Sequence, residues 1–172
     1  SIDNKIIKKN KELIKFKTNI TSLKNILQKR IEERIDHTKY KKKTKLITRK
    51  ILLNIKKIKK MNIENQKYSR KMNTKKSIEI TDEQMNKSIF HIEKIINEIN
   101  KNIDLSYDSL KMNELSQGLD SRIQLANSVQ TSLNRIKKIY ENNLLKEKEI
   151  DNKNILITTQ SQDTSKQSTE KK

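Results

Sequence analysis

The stretch Met112–Tyr140, MNELSQGLDSRIQLANSVQTSLNRIKKIY, decides the fold. Within it Met112, Leu115, Leu119, Arg122, Ala126, Val129, Leu133, Ile136 and Tyr140 follow one another at alternating spacings of three and four. That repeat places the nine side chains along one seam of an α-helix, and such a seam is buried only against other helices. Arg122 is the only charged member of the seam. A lone charge in an apolar seam costs stability and is best attested as a device that sets register and partner number. The seam as a whole is a candidate surface for partner helices, with Arg122 as the residue that aligns them; the plain alternative is a generic intramolecular helical bundle or a homomeric coiled coil, in which an arginine snorkels out of a d-like position.

The rest of the chain admits little besides helix. Its 172 residues are 31% apolar and 35% charged, with one Gly, no Pro, no Cys and no Trp. Tight hairpins draw on Gly, Asn-Gly or Pro turns, so strands have few connectors here. Without cysteine there are no disulfides, thiolate metal sites, cysteine nucleophiles or S-acylation sites. Apolar runs such as Ile51–Leu53 and Ile155–Ile157 are short against the roughly 20 residues of a membrane-spanning helix, and no secretory signal region is visible.

Working outward from the seam, four regions are expected. In 1–68 two basic helices are predicted. The first covers roughly residues 3–36, on the spacing of Leu13, Phe16, Ile20, Leu23 and Leu27 with Ile31 and Ile35 extending the face. The second covers about 44–65, where Ile47, Ile51, Ile55 and Ile58 recur, and Thr38–Lys43 reads as a basic connector between the two. A polar, basic linker is expected over 69–80. Thr81 and Gln84 have capping-box spacing, so a long coiled-coil helix is predicted to start there and fill 81–150. Its early seam, Met85, Ile89, Ile92, Ile96, Ile99 and Ile103, is out of register with the later one by two residues. A bend, a change of coiling or a break between helices near Asp104–Asp108 would absorb that offset. The tail 151–172 becomes Ser-, Thr-, Gln- and Lys-rich after Ile157 and reads as disordered. The fold class is therefore all-α, with elongated helices, two shorter basic ones ahead of a long coiled-coil helix, and a disordered C-terminal tail.

Charge divides the chain in two. Residues 1–80 hold 26 Lys/Arg against 7 Asp/Glu, which is the whole net charge of +19. Lys41, Lys42, Lys43, Lys45, Lys56, Lys57, Lys59 and Lys60 form two clusters suited to phosphate contacts, whether on RNA or on an anionic membrane surface. The plain alternative is a solvated helical face in a lysine-biased composition. Phe16, Tyr40 and Tyr68 stand isolated, which disfavours stacking on single-stranded bases.

Catalysis finds no constellation in the sequence. His37 and His91 lie on separate predicted segments and in no metal-ligand spacing. Carboxylates alternate with Lys and Arg as surface ion pairs do. Gly118, as the only glycine, excludes a glycine-rich phosphate loop, and it suits a close helix approach or a loosened helix better than a ligand. The reading is a non-enzyme with no cofactor, no metal and no small-molecule substrate.

Leu119-Asp120-Ser121-Arg122, followed by the small and apolar seam residues, resembles the centre of a SNARE motif. An arginine preceded by a leucine and an acidic residue is similar to the ionic layer of synaptobrevin-like R-SNAREs. The chain also resembles the Qb-type SNAREs of Golgi-to-ER retrograde transport, through the basic stretch Arg70-Lys71-Met72-Asn73-Thr74-Lys75-Lys76-Ser77, Asp120 near the centre and Lys138-Ile139-Tyr140-Glu141-Asn142 at the end. The resemblance covers roughly residues 69–150. It implies a heteromeric, parallel four-helix bundle with SNARE-like partner helices, a role in vesicle fusion, and a place on the cytoplasmic face of ER and Golgi membranes. It also implies an anchor after the motif, and 142–172 contain neither a transmembrane helix nor a cysteine for lipid. Extending the seam backward meets Leu105 among Asp108, Lys101 and Glu98, a poorer half than the forward one. Two other readings stay open, both intracellular: a basic helical RNA-binding or ribosome-associated protein, and a structural coiled coil.

Overall fold

The computed structural model describes the backbone of residues 2–69, 75–104 and 109–170, and the side chains of residues 4–64, 79–104 and 110–157. Among the described residues all the regular structure is helical: α1 (Ile2–Ile31), α2 (His37–Ser69), α3 (Lys75–Lys101) and α4 (Ser109–Glu170). The chain divides into two compact units, residues 1–136 and 137–172.

The first unit is an up-down-up-down four-helix bundle. Helices α1 and α2 pack along their length, as do α2 and α3. Helix α4 returns alongside α1 with Asn10 on Asn134, Lys17 on Asn127 and Lys24 on Asp120, a falling pairing that makes the two antiparallel. It also runs beside α3, where Gly118 meets Ile95 and Lys111 meets Glu98. Each helix turns a 3-4 stripe inward: Leu13, Phe16, Ile20, Leu23 and Leu27 from α1; Ile47, Ile51, Ile55 and Ile58 from α2; Met85, Ile89, Ile92, Ile96 and Ile99 from α3. Each such buried side chain contributes about 1.5–3 kcal/mol against leaving it in water, so these stripes, more than the middling helix propensity of Asn and Ile, hold the elements in place.

The ends of the elements differ from the sequence reading in several places. Helix α1 stops at Ile31 and not near residue 36. Glu33 adopts a left-handed φ of 56° there, Arg34 N–H donates to Lys29 O at 2.8 Å and Glu33 N–H to Arg30 O at 3.2 Å, the paired bonds of a Schellman stop. Thr38–Lys43 is not a connector but the opening of α2. Asp36 caps that helix by accepting the Lys39 N–H at 2.8 Å on its side chain. The turn is thus only Glu32–Asp36, set by an acidic cap that the lysine run overshadowed.

Thr81 is the third place. Helix α3 begins at Lys75, and Thr81 sits inside it, buried. The two-residue register offset is absorbed by a break: α3 ends at Lys101, Asn102 and Ile103 close a turn on Glu98 and Asn100, and α4 opens at Ser109. Two helices therefore stand where one long helix was expected over 81–150. Arg70–Thr74, which carries most of the basic SNARE-like stretch, lies outside the described residues, as do Leu105 and Asp108. Helix α4 continues to Glu170, through the tail expected to be disordered over 151–172, and side chains there are not described beyond Ile157.

Candidate functional site

The seam of α4 lies inside the bundle of its own chain. Met112, Leu115, Leu119, Ala126, Val129, Leu133 and Ile136 are all buried. Tyr140 belongs to the second unit and is partly exposed. The seven buried members face α1 and α3, and a polar belt closes their rim on the α1 side. There Asn10 Nδ2 donates to Asn134 Oδ1 at 3.0 Å, Lys17 Nζ to Asn127 Oδ1 at 2.7 Å and Lys24 Nζ to Asp120 Oδ1 at 2.6 Å. On the α3 side Gly118 makes room: a Cβ there would stand 3.0 Å from Ile95 Cδ1. The close approach expected of the lone glycine is thus present.

Arg122 behaves differently from its neighbours. It is only partly buried, and its Nε is enclosed without a hydrogen-bond acceptor. Leaving an enclosed guanidinium nitrogen unpaired costs about 1–3 kcal/mol relative to a satisfied one.

The fully buried charges of the bundle are elsewhere, at Lys9 and Asp82. Their contact is 2.5 Å, with side chains 0% and 1% exposed, and it crosses the interior from α1 to α3. Burial pushes the Asp82 carboxyl up and the Lys9 ammonium down, and in both cases desolvation outweighs the attraction and hydrogen bond between the partners. Asp82 Oδ2 has no hydrogen-bond partner. A further polar cluster joins α1 to α2: Glu12, buried, accepts from Asn54 Nδ2 at 2.7 Å, and Asn54 Oδ1 accepts from Asn19 Nδ2 at 2.7 Å. The seam of α1 carries Lys9 four residues before Leu13, and that of α3 carries Asp82 three residues before Met85. Extending both 3-4 repeats backward would have found the pair.

The eight lysines proposed for phosphate contacts separate into two groups. Lys59 is bound to Glu93 of α3 at 2.7 Å, and Lys41 to Asp104, in the turn after α3, at 2.5 Å. The Lys41 hydrogen bond holds the Asp104 carboxyl below its usual range. Lys42, Lys43, Lys45, Lys56, Lys57 and Lys60 are exposed and make no ion pair among the described residues. His37 opens α2 and His91 is exposed on α3. Among the described residues no three His, Asp or Glu side chains converge as a metal site, and no helix is long and apolar enough to cross a membrane. In comparison with known proteins, no family model matches the chain, and neither a curated protein nor a solved structure matches it significantly.

Proposed function

We propose that this chain is a SNARE-like component of vesicle fusion in ER–Golgi traffic, in which α4 exchanges the cover given by α1 and α3 for partner helices. The observation that carries the reading is Arg122: the one charged member of the α4 seam keeps its Nε enclosed and unpaired in the closed bundle. A partner helix offering an amide or carboxylate oxygen at that layer would satisfy the nitrogen and favour the exchanged state. The resemblance of Leu119-Asp120-Ser121-Arg122 to a SNARE centre supplies the class of partner. Exchange requires opening, since the seam residues are buried and no partner reaches Leu133 or Val129 while α1 and α3 cover them.

The test uses the full chain. Cysteines placed at Asn10 and Asn134, whose side chains touch at 3.0 Å, are joined by a short reversible bis-thiol reagent that ties α4 to α1. Because the chain has no cysteine of its own, the reagent acts only at that pair. Candidate SNARE helices should be captured by the untied chain, lost on tying and regained on release. Arg122→Leu should stabilise the closed bundle by about 1 kcal/mol and weaken capture. The reading is abandoned if no set of SNARE helices is captured, or if tying leaves capture unchanged.

A further inference from the structure

Helix α2 carries twelve Lys and Arg residues and one acid, Glu64. Its inner face is accounted for by Tyr40, Thr44, Ile47, Ile51, Ile55 and Ile58, all buried. Opposite them Lys42, Leu46, Arg49, Leu53, Lys56 and Lys60 form a second 3-4 stripe, turned to solvent. Leu46 and Leu53 are 57% and 59% exposed, two turns apart on the centre line of that stripe. Lys50 and Lys57 flank them, exposed, and among the described residues none of these cations has an ion pair. The acids along the shared edge, Glu93 of α3 and Asp104 in the turn that follows α3, are already engaged by Lys59 and Lys41.

We infer that the outward face of α2 docks on an anionic membrane surface, with Leu46 and Leu53 entering the headgroup boundary and Lys42, Arg49, Lys50, Lys56, Lys57 and Lys60 reaching lipid phosphates. Two leucines at the centre of a cationic stripe are what an interfacial helix presents: apolar groups that gain by leaving water, and long side chains that extend sideways to anionic headgroups. Charge complementarity selects the lipid, because only headgroups with net negative charge give the surface a potential that attracts the six cations, whereas in a zwitterionic bilayer each phosphate is offset by its own choline. Nucleic acid fits less well. The stripe has no aromatic residue to stack on a base, and phosphate contacts alone would leave both leucines wet. The inference is independent of the α4 reading, since none of its residues belongs to the α4 seam.

The experiment is cosedimentation of the full chain with vesicles of phosphatidylcholine alone and with about 30% phosphatidylserine, where cationic segments gain most. Binding is expected to the anionic vesicles only. Replacing both Leu46→Ser and Leu53→Ser should lower the partition coefficient by about tenfold or more, the size expected when partly buried leucines are lost. Arg49→Gln with Lys56→Gln should lower it by about fivefold per cation removed. Circular dichroism should be unchanged in all variants, because the substituted side chains are outside the core. The inference is overturned by failure to bind anionic vesicles, by binding that the double leucine replacement leaves unchanged, or by tighter binding to duplex RNA through the same lysines.

Discussion

Lys9 and Asp82 join α1 to α3 through a buried pair in which desolvation opposes both charges. The raised pKa of Asp82 means that the folded state holds that proton more readily than the unfolded state does. Its contribution to stability is therefore present below the ordinary value of 3.8 and lost as pH rises through the raised value. The lowered pKa of Lys9 acts from the other end, with its contribution present above 10.5 and lost as pH falls through the lowered value. Between those limits the ionised pair is a net burden, set by desolvation. Lys9→Met combined with Asp82→Leu should raise stability near neutral pH by about 1–4 kcal/mol, whereas Lys9→Met alone should lower it by about 3–5 kcal/mol by stranding Asp82. Thermal unfolding of the three proteins across pH decides the matter, and a double variant less stable than wild type would show that the pair is net stabilising. Glu33 is the other residue-scale cost. A side chain at φ 56° is strained where glycine is not, so Glu33→Gly should stabilise the α1 stop by about 1 kcal/mol in urea unfolding, provided the two Schellman hydrogen bonds persist.

At the scale of the element, α4 was legible as a buried seam and illegible as to what buries it. A 3-4 repeat reports one apolar face, and that face is equally satisfied by a second chain or by α1 and α3 of the same chain. What separates the two is the length and direction of the connectors, and these turned on small signals such as Asp36 and the two-residue offset before Ser109. The boundary at Thr81 misled because a Thr-x-x-Gln spacing also occurs inside helices; its side chain went to the interior beside Asp82. Leu133, 1% exposed, is consequently a core residue first. Leu133→Asp should cost about 4 kcal/mol or more by placing a carboxylate in the interior, a large share of a domain's stability, and loss of partner binding in that variant would follow from unfolding alone. Gly118→Ala separates propensity from packing. The obstacle is the far end of a partly exposed Ile95, which can rotate away, so the gain of helix propensity should prevail by about 0.5–1 kcal/mol in denaturant unfolding. A loss of stability would mean that Ile95 is fixed and that α3 and α4 are held by that contact.

For the whole molecule the dominant electrostatic fact is imbalance. All of the net charge of +19 arises within residues 1–80, and the ion pairs that join the helices at Lys24–Asp120, Lys41–Asp104, Lys59–Glu93 and Lys111–Glu98 are at or near the surface. Exposed pairs of this kind are each worth a fraction of a kcal/mol, while the unpaired lysines of α2 repel one another across a few ångströms of a single helix face. Added salt screens both, and the two effects oppose each other. If the pairs governed stability, salt would lower the midpoint of thermal unfolding. Repulsion is the larger effect because the cations outnumber their partners, so raising sodium chloride from about 10 to 300 mM should raise the midpoint by about 2–5 °C. The Lys9–Asp82 contact, sealed from solvent, should be unaffected over that range, leaving the surface lysines as the source of the shift. Neutralising Lys42, Lys50 and Lys57 to Gln should then raise the low-salt midpoint and flatten its salt dependence together, since the same charges that unsettle the free bundle are those an anionic surface would compensate.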